Sequence, residues 1–264
     1  MPPAPVPPAL ALEAVVKRFG THTAIEGVSF AVAPGTFVSI VGPSGCGKST
    51  LLNIVAGLQP ASGGRVDVFG EPLLGINRRA TYMFQQDALL PWKTVLGNVQ
   101  FGPTLRGDHG ADAVERSRAW LERVGLSGCG DLYPHQLSGG MRKRVALAQC
   151  WIVQPDLILM DEPFSALDVH TRLRMESEIL GLWTGSGKTV VFVTHDLEEA
   201  ISLSDDVFLL SAGPRSRVVG RYQIDLPRPR HLIDIRTDPR FHDVYRTIWS
   251  DLRQEVLKSH ERSR

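Results

Sequence analysis

The stretch of sequence that decides the fold is Phe37-Val-Ser-Ile-Val-Gly-Pro-Ser-Gly-Cys-Gly-Lys-Ser-Thr50. Its first five residues predict a buried strand, and the spacing of apolar residues then predicts a helix over Lys48–Ala56 that ends at Gly57. Residues 42–49 match G-x-x-x-x-G-K-[ST] and lie between strand and helix, the context that this phosphate-binding motif requires. The stretch therefore predicts a loop that binds the phosphates of a nucleotide.

The residue types in this loop each have a physical reason. Glycines let backbone N–H groups point at phosphate oxygens, and the start of the helix adds positive potential. Lys48 reaches the β- and γ-phosphates, while Ser49 offers a hydroxyl to Mg²⁺. The predicted nucleotide-binding residues are Gly42, Pro43, Ser44, Gly45, Cys46, Gly47, Lys48, Ser49 and Thr50.

A second motif, Leu157-Ile-Leu-Met-Asp161-Glu162, is an apolar strand that ends in two carboxylates. Asp161 can hold Mg²⁺, and Glu162 beside it can orient and polarise an attacking water molecule. A phosphate-binding loop followed by such a strand is much more specific than either motif alone. Together they predict a P-loop enzyme that binds ATP with Mg²⁺ and hydrolyses it.

The composition excludes several other classes of protein. With 264 residues, the chain has room for one large domain or two small ones. Lys and Arg (29) nearly balance Asp and Glu (28), so no overall positive field favours nucleic acid. The three cysteines are scattered and form no C-x-x-C pair, which argues against disulfides and structural zinc. No apolar run approaches the length of a membrane-spanning helix.

Apolar runs and turn residues along the rest of the chain predict the other elements. Two early strands, Leu10–Lys17 and Val28–Val32, indicate an antiparallel β subdomain. Later strands alternate with helices, which is typical of an α/β core with a parallel sheet. These strands are Arg65–Val68, Thr81–Phe84, Leu157–Met160, Val190–Thr194 and Val207–Leu210, and the helices are Val145–Ile152, Val169–Trp183 and Leu197–Leu203.

The same patterns divide the chain into segments. A Pro-rich, disordered leader is expected over residues 1–9, and the ATPase domain over 10–226. Within that domain, residues 87–153 or so read as a helical insertion, with Ala111–Val124 the clearest helix. Residues 227–264 are predicted to form a short C-terminal helical extension. Its amphipathic helix, Asp238–Lys258, should pack an apolar stripe on the core through Phe241, Val244, Tyr245, Ile248, Trp249, Leu252 and Val256.

The segment Leu137-Ser138-Gly139-Gly140-Met141 closely resembles the signature of ABC-type ATPases, and it lies between the phosphate-binding loop and Asp161-Glu162 as in that family. Gln85, the run Ser165-Ala166-Leu167-Asp168 and His195 follow the family order as well. The resemblance covers almost the whole chain. It implies an α/β fold with a P-loop NTPase core, an antiparallel β subdomain and a helical insertion.

The resemblance also implies roles for particular residues. Phe19 would stack on adenine, and Gln85 would sense Mg²⁺ and the attacking water. His195 would contact the γ-phosphate and keep Glu162 aligned. The implied catalytic residues are thus Glu162, His195 and Gln85, and the implied Mg²⁺ ligands are Ser49, Gln85 and Asp161.

The signature implies that two copies of the chain act together. Ser138, Gly139 and Gly140 would open a helix and grip the γ-phosphate of ATP held by a second copy. Asp168 would line the seam of this homodimer. Most ABC proteins carry Gln at the fifth signature position, where Met141 stands here, so a polar side-chain contact to the opposite nucleotide is in doubt.

Met141, the run Leu89-Leu90-Pro91-Trp92 and the ending Leu226-Pro227-Arg228-Pro229-Arg230 resemble the nitrate/sulfonate/taurine importer branch. This resemblance implies an ATP-hydrolysing subunit that drives uptake of a small anion such as nitrate, taurine or an alkanesulfonate. Its expected partners are transmembrane permease subunits at the cytoplasmic face of the plasma membrane and, indirectly, a periplasmic or lipid-anchored solute-binding protein. No nucleic acid is expected.

The sequence leaves three questions open: the process that the subunit serves, the role of Trp92 and the role of Arg142-Lys143-Arg144. The subunit could serve bicarbonate or pyrimidine-precursor import, or an export or lipid-extraction complex, and a soluble nucleic-acid-associated ABC ATPase is a more distant rival. Trp92 could contact a permease helix in a groove beside the Gln85 loop, or it could be a core residue. Arg142-Lys143-Arg144 could form a phosphate or nucleic-acid patch, or a solvated helix face.

Overall fold

The computed structural model describes residues 6–262, except the side chains of His260 and Arg262. Its strands are β1 Leu10–Phe19, β2 His22–Val32, β3 Phe37–Val41, β4 Gly63–Val68, β5 Glu71–Pro72, β6 Ala80–Met83, β7 Leu157–Asp161, β8 Thr189–Val193, β9 Asp206–Leu210 and β10 Val218–Gln223. Its α-helices are α1 Lys48–Val55, α2 Val95–Leu105, α3 Ala111–Arg123, α4 Gly139–Ile152, α5 Val169–Trp183, α6 Leu197–Leu203 and α7 Pro239–Arg262.

The larger sheet has the order β10-β9-β3-β8-β7-β6. Neighbours from β9 to β6 run parallel, and β10 pairs antiparallel with β9 at one edge. This confirms the predicted α/β core. The order places the carboxyl ends of β3 and β7 on either side of β8, so the phosphate-binding loop and the acidic pair reach the same edge of the sheet.

Alternate residues of the central strands supply two different cores. In β7, Ile158 and Met160 pack with the helical insertion, whereas Leu157 and Leu159 pack with α1 and the smaller sheet. Successive side chains of a strand point to opposite faces, so a strand covered on both faces must be apolar throughout. That is why these strands appear in the sequence as unbroken apolar runs.

The smaller sheet is antiparallel and has the order β2-β1-β4-β5. Sequence patterns gave no signal for β5 or β10. Strand β5 has only two residues, and β10 lies at a sheet edge with no fully buried residue. The predicted disordered leader is wrong at Ala9, which is buried and whose N–H donates to Val32 O at 2.8 Å. Residues 1–5 of that predicted leader lie outside the described residues.

The helical insertion contains α2, α3 and α4, with a 3-10 turn at Pro134–Gln136. Helix α4 begins six residues before its predicted start at Val145 because Ser138 caps it: the Ser138 Oγ accepts a hydrogen bond from Met141 N at 3.3 Å. The resemblance to the ABC signature had implied a helix opening at Ser138-Gly139-Gly140, whereas the apolar pattern gave no signal there because two glycines begin the helix.

The C-terminal segment packs against the main domain. Phe241, Ile248 and Leu252 of α7 are buried with residues of α6 and β9, which matches the predicted stripe. Trp249 departs from that prediction, since it is 47% exposed and stacks on Tyr245 instead. Arg230 is buried before the helix and donates hydrogen bonds to carbonyls of Ile201, Ser202, Ser204, Ile224 and Leu226.

Across residues 6–262, no helix is both long enough and apolar enough to span a bilayer.

Candidate active site

The phosphate-binding loop is shaped by close backbone contacts. A Cβ on Gly42 would lie 2.9 Å from Leu210 O and from Cys46 Sγ, so no larger residue fits there. Gly47 has φ +95°, a left-handed conformation that favours glycine. The Cys46 side chain is buried beneath the loop, and burial raises the pKa of its thiol. The Cys46 N–H donates to Pro43 O at 3.2 Å, so this residue closes a turn within the loop.

Lys48 folds over this loop. Its ammonium group is buried and donates hydrogen bonds to Gly42 O at 3.0 Å and Pro43 O at 3.3 Å. Its Nζ atom also lies 4.0 Å from Glu162 Oε1. A buried cation held mainly by neutral carbonyls is a strong partner for an anionic phosphate group. The Lys48 ammonium group therefore lies at the loop, where it can contact the phosphates of a nucleotide.

Asp161, at the end of β7, meets Ser49 at the start of α1. The Ser49 hydroxyl donates to Asp161 Oδ1 at 2.9 Å, and Tyr82 OH donates to Asp161 Oδ2 at 3.1 Å. Burial raises the pKa of Asp161, although both of these hydrogen bonds favour its ionised form. Tyr82 was missed by sequence reasoning, because nothing in its strand indicates which neighbour it will pair with.

These oxygen atoms fit a magnesium ion. A serine hydroxyl and a carboxylate, joined by a hydrogen bond, are the donor types that Mg²⁺ accepts. Ser49 and Asp161 would hold the ion, and a bound Mg²⁺ neutralises charge on the β- and γ-phosphates. Gln85, the third predicted ligand, is exposed, and the described hydrogen bond of its side chain is a long one from Nε2 to Ser165 Oγ at 3.5 Å.

Glu162 has an unusual backbone conformation. Its φ is +41°, in the left-handed region, which costs a non-glycine residue about 1–3 kcal/mol. The Glu162 N–H donates to Val193 O at 2.9 Å, which fastens the turn to the end of β8. Beyond this turn, Glu162 Oε2 lies 3.0 Å from His195 Nδ1. Strain at this position indicates a functional constraint.

The structure thus brings together Lys48, Glu162 and His195 from three separate segments. His195 is exposed, with 58% of its side chain accessible, while Glu162 is largely covered. A carboxylate beside an exposed imidazole and a buried ammonium group can align water and a phosphate group. Phe19, the predicted adenine contact, is also exposed at 46%, at the end of β1.

The signature residues lie apart from this cluster. Ser138 and Gly139 are exposed at the start of α4, and the Ser138 hydroxyl caps the helix as described above. A Cβ on Gly140 would lie 3.0 Å from Thr171 Cγ2, which explains a small residue there. Met141 packs partly into the core of the helical insertion. No described contact joins these residues to Lys48 or Glu162.

Asp168, the predicted seam residue, caps helix α5. Its Oδ1 accepts hydrogen bonds from His170 N at 3.1 Å and Thr171 N at 3.0 Å. Hydrogen bonds from Thr171, followed by the one from His170, lower the pKa of this exposed carboxyl group. The cap fixes the start of α5, and in the segment before it Ser165 and Ala166 are exposed while Leu167 is buried.

Arg142, Lys143 and Arg144 form neither a phosphate patch nor a solvated face, so both sequence alternatives are wrong. Arg142 Nε lies 2.8 Å from Asp87 Oδ2, and Lys143 is buried with its Nζ 2.6 Å from Gln85 O. Arg144 pairs with Glu178 at 2.6 Å. The tertiary fold supplies a partner for each charge, which sequence spacing could not reveal.

A groove of ≈ 780 Å³ lies between the Gln85 loop and the helical insertion, but neither Leu89 nor Trp92, the residues near which it was predicted, lines it. Phe84, Gln86 and Ala88 line one side of it, and Gln149 and Cys150 line another. Trp92 is 71% exposed, so the core alternative for this residue is wrong. Leu89, in contrast, is buried in the core of the insertion.

The parallel sheet, the phosphate-binding loop and the acidic pair at the end of β7 define a P-loop nucleoside-triphosphate hydrolase. Residues 25–165 match the family model described as ABC transporter. The chain therefore belongs to the ABC transporter family, and it is an ABC-type transport ATPase.

Curated relatives support a finer placement. The chain is 46% identical over 228 residues to an aliphatic sulfonates import ATP-binding protein of Ralstonia nicotianae, covering 86% of this chain and 77% of that protein. It is 41% identical over 244 residues to a taurine import ATP-binding protein of Burkholderia pseudomallei, covering 90% and 93%. The predicted place in the nitrate/sulfonate/taurine branch is confirmed.

A solved structure confirms the fold. It is the dimeric structure of an ATP-binding cassette in a post-hydrolysis state, bound to ADP and phosphate. The TM-score is 0.72 at 32% sequence identity, and the match covers 83% of this chain and all of that chain.

Proposed function

We propose that this chain is the ATP-binding and ATP-hydrolysing subunit of an importer for a small anion such as nitrate, taurine or an alkanesulfonate. The observation that carries the ATPase part is the cluster of Lys48, Glu162 and His195, with Glu162 Oε2 3.0 Å from His195 Nδ1. The import part is supported by the relatives named for sulfonate and taurine import.

The proposed reaction assigns each residue of the cluster a task. Lys48 leaves its loop carbonyls to bind the β- and γ-phosphates of ATP, while Ser49 and Asp161 hold Mg²⁺. Glu162 orients a water molecule and accepts its proton as the water attacks the γ-phosphorus, whose bond to the β–γ bridging oxygen breaks to release ADP and phosphate. His195 holds the Glu162 carboxylate and contacts the γ-phosphate. Gln85 and Phe19 contribute through Mg²⁺ sensing and adenine stacking.

Hydrolysis on this proposal needs two copies of the chain. The exposed start of α4 presents the Ser138 hydroxyl and backbone N–H groups to solvent, where they can reach the γ-phosphate bound by a second copy. Asp168 would then lie at the seam. The dimeric state of the similar solved structure supports this arrangement.

A transport role requires a membrane-spanning partner. We place permease subunits at the groove beside the Gln85 loop, with exposed Trp92 as one contact, and the chain at the cytoplasmic face of the plasma membrane. A periplasmic or lipid-anchored binding protein would deliver the anion to the permease. No nucleic acid is needed in this scheme.

The test is purification of tagged Glu162→Gln with Mg-ATP from detergent-solubilised membranes, followed by mass spectrometry. We expect a multi-span permease to copurify, and a Trp92→Ala version to recover less of it. The binding protein associated with that permease would then be screened against nitrate, taurine and alkanesulfonates. Recovery of ribosomes or nucleic acid without a permease would overturn the importer assignment.

A further inference from the structure

Two segments that flank the candidate site are joined by one side chain, Arg172 of α5. Its Nη2 donates to Leu167 O at 3.2 Å, immediately before Asp168. Its Nη1 donates to Asp196 Oδ2 at 3.3 Å, immediately after His195. A guanidinium group has several donors in a rigid plane, so it can hold two segments at a fixed separation. Arg172 therefore spans the gap between the Asp168 segment and the His195 loop.

A third contact strengthens the hold on the His195 loop. Arg172 Nε lies 3.7 Å from Glu199 Oε1, and the other oxygen of Glu199 accepts a hydrogen bond from Thr194 Oγ1 at 2.6 Å. Asp196 N–H also donates to Thr194 Oγ1, at 3.0 Å. Thr194 and Asp196, the neighbours of His195, are thus held by contacts that involve the Asp196 and Glu199 carboxylates. Arg172 supplies positive charge to both of these carboxylates.

The charges around Glu199 make this arrangement sensitive to protonation. Burial, together with the nearby Asp196, raises the pKa of Glu199 to about 7, while Thr194, Arg172 and His195 act in the opposite direction. Other charged groups packed nearby are Glu176 on α5, Glu198 on α6 and Arg236, which pairs with both of these acids. Arg172 is the cation that contacts both Asp196 and Glu199 among the described residues.

We propose that Arg172 is a positioning residue for ATP hydrolysis, which ties the Asp168 segment to the loop that carries His195. The proposal rests on the proposed function, in which Asp168 lies at the seam between copies and His195 holds Glu162. Closure of the dimer on the Asp168 segment would then set the position of His195 through one guanidinium group. Arg172 itself touches neither the nucleotide-binding loop nor Glu162 in the described structure.

The test compares Arg172→Ala and Arg172→Lys with Arg174→Ala, a matched control on the same helix. Arg174 is exposed and pairs with Glu178 at 3.4 Å. Steady-state ATPase of the full-length protein is measured from pH 6 to 9, with ATP affinity measured separately by fluorescent-nucleotide binding. We expect kcat to fall on the order of 10- to 100-fold in Arg172→Ala, as for a small displacement of reacting groups, with ATP affinity within about twofold.

The pH dependence of kcat distinguishes a positioning role of Arg172 from a general loss of stability in the variant. Without Arg172, Glu199 should hold its proton more tightly, so the acid limb of kcat should move to higher pH in Arg172→Ala. Adding Glu199→Gln should abolish that movement, and Arg172→Lys should restore part of the rate. A lower kcat with an unmoved pH profile, or unchanged kcat, would overturn the proposal.

The Glu162→Gln variant distinguishes failure of this proposal from failure of the proposed function. If Glu162→Gln stops hydrolysis while Arg172→Ala does not, only the role of Arg172 is rejected. If Glu162→Gln hydrolyses ATP normally, the assignment of the catalytic cluster itself is rejected.

Discussion

The region around Glu162 and the region around Ser138 differ in how much of their function the single chain completes. Glu162 contacts His195 at 3.0 Å and lies 4.0 Å from Lys48, and neighbouring Asp161 accepts hydrogen bonds from Ser49 and Tyr82. Ser138 caps its own helix and is otherwise presented to solvent. Folding of the single chain brings the residues around Glu162 into contact. The region around Ser138, in contrast, contacts none of those residues within the described part of the same chain.

The contrast between the two regions indicates where ATP hydrolysis can be regulated. A site completed within one chain would hydrolyse ATP continuously, whereas a site divided between chains works only when two copies meet. The strained φ of Glu162 and the exposed start of α4 therefore belong to two halves of one switch on the proposed function. Substitutions can alter one half at a time.

The largest effect is expected from Glu162→Gln, which removes the proposed base in the assembled half. Loss of a general base lowers kcat by about 10²–10⁴-fold. Binding of Mg-ATP should persist, because Lys48, Ser49 and Asp161 are untouched. Steady-state ATPase and nucleotide-binding assays check this, with Glu71→Gln on exposed β5 as the control. Near-normal turnover would remove Glu162 from its role.

The second prediction tests whether the two halves lie on different chains. Lys48→Ala should lose nucleotide binding, and Ser138→Arg should block the signature, so each variant alone should be inactive. A dimer of one subunit of each kind regains one intact site. Equal mixing should restore about a quarter of wild-type ATPase, since half of the dimers are mixed and each has one working site.

Separately inactive variants that stay inactive on mixing would contradict a shared site. Restoration would need subunit exchange, so the mixture is incubated without nucleotide before ATP is added. Mixing Lys48→Ala with Lys48→Ala carrying a different tag is the control, because no intact site can form in it.

A smaller effect is expected on the free energy of unfolding, through the buried Glu176 of α5. Burial raises the pKa of Glu176 to about 8, and the neighbouring Glu199 adds to this rise. The folded state therefore keeps a proton that the unfolded chain loses near pH 4.5. The free energy of unfolding should fall as pH rises from about 5 to 8, and Glu176→Gln should reduce this fall by at least about 1 kcal/mol.

Denaturant titrations at pH 5.5 and 8.5 measure that change, with Glu71→Gln as the control. Equal pH dependence in wild type and Glu176→Gln would show that Glu176 is ionised throughout this range. The signature half contains no comparable buried acid among the described residues, so Met141→Gln should leave the pH dependence as it is.

The smallest effect is expected from Tyr82→Phe. This change removes the hydrogen bond to Asp161 Oδ2 and leaves the aromatic ring stacked on Phe84. The loss should be about 0.5–1.5 kcal/mol in the free energy of unfolding, with a modest weakening of Mg²⁺-dependent nucleotide binding. Thermal unfolding with and without Mg-ATP checks it. If Mg-ATP raises the Tm of Tyr82→Phe by as much as it raises the Tm of the wild type, Tyr82 does not influence the metal site.

Much of the fold could be predicted because it is encoded locally. The predicted strand Phe37–Val41 and helix Val169–Trp183 match the observed β3 and α5 at both ends. Each is a run whose apolar pattern and flanking turn residues act within a few positions of the chain. Where such signals were weak, as at edge strand β10, the element was missed.

Contacts between distant residues could not be predicted in this way. Tyr82 reaches Asp161 across 79 positions, and Arg142 reaches Asp87 across 55. The prediction for Arg142-Lys143-Arg144 was wrong for this reason, because the opposing carboxylates lie in other segments. Trp92 was left open by sequence for the same reason, since its exposure depends on what packs around it.

From the sequence alone the chemistry of the candidate site could be predicted, since a glycine loop, a lysine, a hydroxyl and two carboxylates stand in motifs that each require only neighbouring residues. The tertiary structure alone decided how these groups meet: the strained turn of Glu162, the contact with His195 and the bridge from Arg172. The physical reason is that strand order brings β3, β7 and β8 side by side. Distances across a sheet depend on that packing, and no spacing along the chain records them.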